Sequence, residues 1–408
     1  MGRAANGFGR LTLGDEPEER RVGVQLIDGT RKPRRPPDIL VTALSVYRRE
    51  GGMERYLRRM VQCLAELRGP TGASDVVVMA LWDSSEEATL GPPGVRQIPA
   101  HSSKLRMLVA FAWHTMRGQP SVIVHGTVLL APLIVLARVL SPRSRNYLVV
   151  YGIEVWDRPG LIARWIVRSL VQRIISVSAF TKHRMIASFG LSEGSFSLLH
   201  CAVDAATLER SIPLPSNGGT PPEWRLLTVS RLSTVDRYKN VDKVIMALPA
   251  VLEAFPQTQY YVIGEGDWRP ELESLARAQG VAAHVHFLGQ VDDRTRDDMY
   301  KSSHVFVLPS TREGFGIVFL EAWSHGLPVI ASDQDAASEF IEHGQNGFCL
   351  SPEPESIAAA VTSLLADPER RHAMGCRGRA RLKGGFDHDA YREKLRMILL
   401  GEGDPCAE

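Results

Sequence analysis

The chain has 408 residues, enough for two domains with separate cores, and its 44% hydrophobic and 23% charged content is that of a soluble globular protein. A formal net charge of +2 argues against a dedicated nucleic-acid binder. Five scattered cysteines, Cys63, Cys201, Cys349, Cys376 and Cys406, form no C-x-x-C pair; this argues against disulfides and structural zinc and suits a reducing cytoplasm.

Residues 1–37 read as a mobile polar tail without the apolar core of a signal peptide. The tail closes on a basic, proline-rich run, Arg31-Lys32-Pro33-Arg34-Arg35-Pro36-Pro37, of a kind that is usually solvated but can touch acidic lipid headgroups. Ile39 to Leu44 is the first expected strand. It leads through residues 45–50 into Gly51-Gly52 and an amphipathic helix, Met53 to Leu67. A strand, glycine turn and helix start of this kind presents free backbone N–H groups to an anion, although a plain tight turn carries the same residues.

Further strands at 75–81, 121–125, 147–151, 174–177 and 197–199 alternate with helices, which means a parallel sheet covered on both faces. The apolar run from Val122 to Leu140 is interrupted by His125, Gly126, Thr127, Pro132 and Arg138, so it reads as strand, turn and helix and not as a membrane span. His125 closes the apolar strand at the rim where such sheets bind ligands. Alone, a histidine in that place reads as structural. Residues 161–173 mix arginines with Trp165 and aliphatics at helical spacing. They describe either a core-facing helix with a solvated basic side or a surface helix resting on acidic lipid.

Composition breaks at residues 211–224, where Pro213, Pro215, Gly218, Gly219, Pro221 and Pro222 mark a linker between a first domain, 38–210, and a second, 225–387. The second opens with strand Arg225 to Ser230. Arg231 ends the strand, and Lys239 precedes a helix, Val241 to Ala254. Two cations around a loop at a strand end suit a diphosphate; Arg237 is a third that the spacing does not separate from them. Gln259 to Ile263 ends in Gly264-Glu265-Gly266, but Arg269 stands where a dinucleotide fingerprint needs its third glycine. His284 and His286 flank a strand residue and read as structural.

His304 to Leu308 and Leu327 to Ala331 are two short buried strands. Between them lie Gly314, Gly316 and a helix from Ile317 to His325, ended by Gly326 and Pro328. The glycines let a ligand approach the backbone at a helix start. Glu313 and Glu321, eight positions apart, flank this anion site. Neither can usefully face phosphate, but both can accept hydrogen bonds from the hydroxyls at the two ends of a sugar nucleotide. The plainer alternative is a helix-capping Glu313 and a solvated Glu321. Asp333-Gln334-Asp335 spells a D-x-D metal motif, yet its place after a strand and before a helix reads as a helix-start loop.

The pair Glu313 and Glu321 with Gly314-Phe315-Gly316 between them resembles the E-x7-E element of the retaining glycosyltransferases of family four, the group 1 glycosyl transferases. The resemblance spans Ile39 to Leu400 and is most specific from Arg231 to Ala331. It implies an α/β protein of the GT-B fold, two facing Rossmann-like domains with parallel sheets and a cleft between them. A C-terminal helix, 388–402, would return to the first domain. It also implies that Arg231, Lys239 and the amides near Gly316 and Ile317 hold the diphosphate. Glu313 would hold donor-sugar hydroxyls, Glu321 the ribose, and His125 would orient the reacting sugar. Gly51 and Gly52 would close over donor and acceptor, while Gly314 and Phe315 complete the donor turn.

Two departures stand out: Tyr151 where the family often has histidine, and Leu199-His200-Cys201-Ala202-Val203-Asp204 where it usually has Asn-Gly-Val-Asp. The implied activity is transfer of a hexosyl group from a UDP- or GDP-sugar to an acceptor hydroxyl with retention, without metal or cofactor. Polysaccharide or cell-envelope glycan synthesis on a glycan or lipid-linked acceptor would place it in the cytoplasm, at the inner membrane face. A sugar-nucleotide epimerase or phosphorylase on the same plan, or a non-catalytic sugar-nucleotide binder, is the alternative.

Overall fold

Short runs of Val, Ile and Leu form strands whose residues are buried on both faces, the pattern of parallel sheets sandwiched by helices. The computed structural model describes residues 38–49, 51–67, 75–156, 160–203 and 223–400. The basic tail and residues 211–222 of the expected linker lie outside them.

The first half contains β1 (Ile39–Ala43), β2 (Val76–Ala80), β3 (Arg96–Pro99), β4 (Val122–His125), β5 (Arg145–Val150), β6 (Arg173–Ser176) and β7 (Phe196–Leu198). They pair in parallel in the order β3-β2-β1-β4-β5-β6-β7. Its longer helices among the described residues are α1 (Gly52–Leu67), α2 (Lys104–Gly118), α3 (Ala131–Leu140), α4 (Leu161–Leu170) and α5 (Ala179–Phe189). Val122 to Leu140 is indeed strand, turn and helix.

Alternation along each strand divides the core. Ile39, Val41 and Ala43 of β1 face Tyr56, Leu57 and Met60 of α1. On the other side, Leu40 joins Val77 and Met79 of β2 against Met107 and Phe111 of α2 and Leu133 and Ala137 of α3.

The second half contains β8 (Trp224–Val229), β9 (Thr258–Ile263), β10 (Val285–Gly289), β11 (Val305–Leu308), β12 (Val329–Ser332) and β13 (Gly347–Leu350). These pair in parallel in the order β10-β9-β8-β11-β12-β13. Here α6 is Val241–Ala254, α7 Arg269–Ala278, α8 Asp293–Ser302, α9 Ile317–Ser324, α10 Pro354–Ala366, α11 Pro368–Leu382 and α12 His388–Leu400. Helix α12 crosses to the first half. Tyr391 meets Tyr56 edge-on with centroids 5.7 Å apart, and Arg145 Nη2 donates to Leu399 O at 2.7 Å.

Strand order reverses between β1 and β4 in one sheet and between β8 and β11 in the other. Crevices outside the carboxyl ends of strands at such reversals are where open α/β sheets bind ligands. β1 and β4 lead to Gly51-Gly52 and His125-Gly126; β8 and β11 lead to Arg231–Lys239 and Pro309–Gly316. β3 and β13 escape the sequence reading because Arg96-Gln97-Ile98-Pro99 and Gly347-Phe348-Cys349-Leu350 are edge strands with little apolar periodicity.

Candidate active site

Two loops leave neighbouring strands β8 and β11 and are stitched together. Thr311 N donates to Tyr238 O at 2.8 Å, and Asn240 Nδ2 donates to Pro309 O at 2.7 Å. This stitching brings Lys239 onto Glu313, with which it forms an ion pair largely screened from solvent. Arg231 is held differently. Its Nε and Nη2 donate to the two oxygens of buried Asp236 at 2.6 and 3.0 Å, while 72% of its side chain stays exposed. Tyr238 also donates to Asp236 Oδ1, at 2.8 Å. Arg237 pairs with Glu271 of α7 and lies over the Trp268 ring. The ambiguity among the three cations therefore narrows: Lys239 is the one on the glycine loop.

The turn before α9 depends on its glycines. Gly316 adopts φ +86°, and a Cβ there would stand 2.6 Å from Phe319 Cδ2. As the residue preceding the helix it offers no side chain to the first-turn N–H groups, which suits them to an anion. Ile317 is the first residue of α9. At Gly314 a Cβ would fall 1.6 Å from Tyr151 O, so the turn abuts the end of β5 in the other half. Phe315 sends its ring into the core, stacked on Phe340 at 4.9 Å and His200 at 5.6 Å, so only its backbone is left for a ligand.

Asp335 braces this turn from behind. Its Oδ2 accepts from Glu313 N at 3.1 Å and its Oδ1 from Ala337 N at 2.9 Å. Burial, reinforced by the Glu313 charge, pushes its carboxyl well above the usual range. The D-x-D run is therefore a helix-start brace.

Glu321, on α9, forms an ion pair with Arg55 of α1 and accepts from Tyr300 OH of α8 at 3.0 Å. Arg55 follows Gly51 and Gly52 by about one helical turn, so this contact puts the glycine turn of the first half against the second. Gly52 is exposed, and no described atom lies within 4 Å of where its Cβ would stand, whereas a Cβ at Gly51 would meet Glu54 Oε2 at 2.6 Å. Other bonds join the halves. Glu339 accepts from Ala179 N at 2.9 Å and from Phe180 N, and Val203 N donates to Phe386 O at 2.9 Å. The departure at 199–203 is thus part of the joint, with His200 between Phe315 and Phe386.

His125 requires a correction. It ends β4 as expected, but its imidazole has no exposure; Nδ1 lies 3.2 Å from Thr42 Oγ1 and Nε2 3.2 Å from Asn146 Oδ1. Burial lowers its pKa to about 4, so it is a neutral core residue bonding three adjacent strands together. The structure does not bring it to a reacting sugar: in a parallel sheet the last strand residue can turn inward as readily as outward. Tyr151 takes the next rim position and packs edge-on against Tyr56 at 5.5 Å.

Sequence reasoning missed Arg55, Tyr300, Asp236 and Asp335 as partners of the predicted residues. Asp236, five positions after Arg231, carried a local signal. Arg55 and Tyr300 carried none, since their contacts span 266 and 21 positions.

A family profile described as glycosyl transferases group 1 matches residues 217–381. A GDP-mannose-dependent alpha-(1-6)-phosphatidylinositol monomannoside mannosyltransferase of Mycobacterium tuberculosis is 29% identical over 87% of this chain and 96% of its own. A related mannosyltransferase of Corynebacterium glutamicum, acting on monoacylated phosphatidylinositol monomannoside by its name, is 31% identical over 55% of this chain and 61% of its own. Among solved structures, Anabaena HepE in complex with UDP superposes with TM-score 0.74 at 19% identity, over 89% of this chain and all of that one. Sucrose-phosphate synthase from Thermosynechococcus elongatus superposes with TM-score 0.73 at 20% identity, over 89% of this chain and 98% of its own. At such identities these two likenesses show the shared fold.

Proposed function

Because the chain belongs to the group 1 glycosyl transferases and has the GT-B fold, we propose that it moves a hexosyl group from a nucleoside-diphosphate sugar to an acceptor hydroxyl with retention at the anomeric carbon. The observation that carries this reading is the meeting of Lys239 with Glu313 at the reversal between β8 and β11, beside the uncapped start of α9.

In this proposal the anomeric carbon–oxygen bond to the diphosphate breaks and negative charge grows on the leaving phosphate. Lys239, Arg231 and the first-turn amides of α9 meet that charge as it develops. Glu313 exchanges its hold on Lys239 for donor-sugar hydroxyls, and Glu321 takes the ribose. The acceptor oxygen bonds the same face of the sugar and gives its proton to the departing phosphate oxygen. Metal-free catalysis follows from assigning the leaving-group charge to these cations and amides.

The two mannosyltransferase relatives make GDP-mannose the first donor to try, ahead of UDP-hexoses, and a lipid-linked inositol mannoside the first acceptor. Such an acceptor implies work at the cytoplasmic face of a membrane. Among the described residues, no helix is long and apolar enough to cross one. The test is incubation with GDP- and UDP-hexoses, with and without acceptor, following nucleotide release and the anomeric configuration of the product by NMR. Release that rises with acceptor and yields the retained anomer supports the reading; an inverted product overturns it.

A further inference from the structure

One buried carboxylate beside the candidate site has no role in the reaction proposed above. Asp236 lies in the short connection between β8 and α6, at a kink between two turns (φ −104°, ψ 19°), and is 2% exposed. A carboxylate taken out of water must be met by donors, and those donors say what it holds. Its Oδ2 accepts from Arg231 Nε, and its Oδ1 accepts from both Arg231 Nη2 and Tyr238 OH. The carbonyl of Tyr238 in turn accepts from Thr311 N on the loop that carries Glu313.

Which edge of the guanidinium is taken matters. Arginine carries five N–H groups in one plane. Asp236 occupies the edge formed by Nε and Nη2, which leaves the end between Nη1 and Nη2, a fork that can grip a phosphate with two parallel bonds. The Arg231 side chain stays exposed while that of Asp236 is sealed beneath it. An exposed arginine without such a hold would spend its rotamer freedom each time a donor arrived; a two-point bond to a fixed, buried partner removes that freedom beforehand. The hold also keeps Arg231 from a rival, because Glu54 of α1 is a second buried carboxylate whose charge reaches the guanidinium from the other half.

Asp236 has an opposing effect as well, since its charge offsets part of that of Arg231. Removing it would add net positive charge, which taken alone tightens a diphosphate, but would release the guanidinium from its plane. A screened charge at an exposed group is worth about fivefold at most. Misplacement of a reacting group by an ångström costs about 100-fold, so orientation should win.

We propose that Asp236 is a positioning residue for the leaving-group site: it fixes the plane of the Arg231 guanidinium and turns its open fork towards the departing diphosphate. The proposal builds on the nucleoside-diphosphate donor reading and assigns that reading a residue acting through another.

The experiment compares wild type, Asp236→Asn, Arg231→Ala and the double variant, reading nucleotide release from GDP-mannose and GDP affinity by calorimetry. Asp236→Asn should lower turnover about 10- to 100-fold and weaken GDP about threefold or more. The double variant should be no slower than Arg231→Ala, because the two residues act as one unit. Arg231→Lys keeps the exposed charge but cannot be held along two edges, so it should lose turnover like Asp236→Asn even if the buried amide perturbs the loop. Tyr238→Phe, which removes only the other donor, should cost about threefold or less. A loss from Asp236→Asn that persists in the Arg231→Ala background overturns the proposal. So does a tighter GDP complex with undiminished turnover, full activity of Arg231→Lys, or a Tyr238→Phe defect equal to that of Asp236→Asn, which would assign the effect to the stitched loops. Weaker GDP binding in Asp236→Asn, absent from the Arg231→Ala background, in a protein that transfers no sugar would leave the proposal standing while the hexosyl-transfer reading failed. A wild-type protein that binds no GDP or UDP overturns both.

Discussion

Lys239 and Glu313 lie 74 positions apart and form an ion pair at the mouth of the second sheet, where the loops after β8 and β11 are bonded edge to edge. The pairing keeps a cation and a carboxylate in register at the place where a diphosphate and its sugar would part. Lys239→Ala should leave the fold intact and lower turnover by about 100- to 1000-fold, the loss typical of one preorganised charge-stabilising donor. Steady-state nucleotide release with donor and acceptor reads this directly. A loss confined to donor KM would mean that Lys239 helps binding but not the reaction.

Glu321→Gln should separate from Lys239→Ala in its kinetic pattern. A ribose contact is present in ground and transition states alike, so its weakening raises KM with little change in turnover. The isosteric amide keeps a partner for Tyr300 but weakens a charged hydrogen bond, so a rise of about tenfold in donor KM is expected. An unchanged KM with impaired turnover would place Glu321 elsewhere in the reaction.

Gly314→Ala and Gly52→Ala form a contrasting pair. At Gly314 the new methyl would meet Tyr151 O at 1.6 Å, so backbone must move and stability should fall by about 1–3 kcal/mol. At Gly52 no described atom is within 4 Å, and alanine suits a helix better than glycine by up to about 1 kcal/mol, so stability should hold or rise. Thermal melts check both. If Gly52 borders the donor, its alanine variant should nevertheless bind GDP-mannose more weakly.

The buried His125 gives a pH dependence with a definite sign. Its pKa drops from the ordinary 6.5 to about 4 on folding. Between those values the unfolded chain binds more protons, so stability present above pH 6.5 is lost as pH falls towards 4. The full effect is about 3 kcal/mol. His125→Gln keeps hydrogen-bonding capacity towards Thr42 and Asn146 without titrating. Its stability relative to wild type, from urea unfolding at several pH values, should therefore improve as pH falls below 6.5. Half-buried His304, also lowered to about 4, remains in both proteins and cancels in the comparison. A constant difference across that window would show that His125 is not buried neutral.

Chelation tests the charge assignment from another side. With the leaving group held by Arg231, Lys239 and the α9 amides, EDTA should leave the rate within about twofold. A larger loss restored by magnesium or manganese would mean that a metal carries charge assigned here to side chains.

Local order was legible from residues alone because the signals are local. The β-branched strand ends, the glycine pairs at 51–52 and 314–316 and the proline stop after α9 each dictate their own backbone, and strict strand–helix alternation leaves parallel sheets as the outcome. The eight-residue spacing of Glu313 and Glu321 likewise survives folding, because both sit on one loop-helix unit. Which way a rim side chain turns is another matter. His125 went inward because Thr42 and Asn146, on the flanking strands, offered partners to both ring nitrogens. Arg55 found Glu321, and Gly314 came against Tyr151, only when the two halves met. Which side of α2 is buried was decided only once the sheet had chosen Met107 and Phe111. Residue type and period fix how a segment folds, while burial and the choice among competing partners belong to segments distant in the chain.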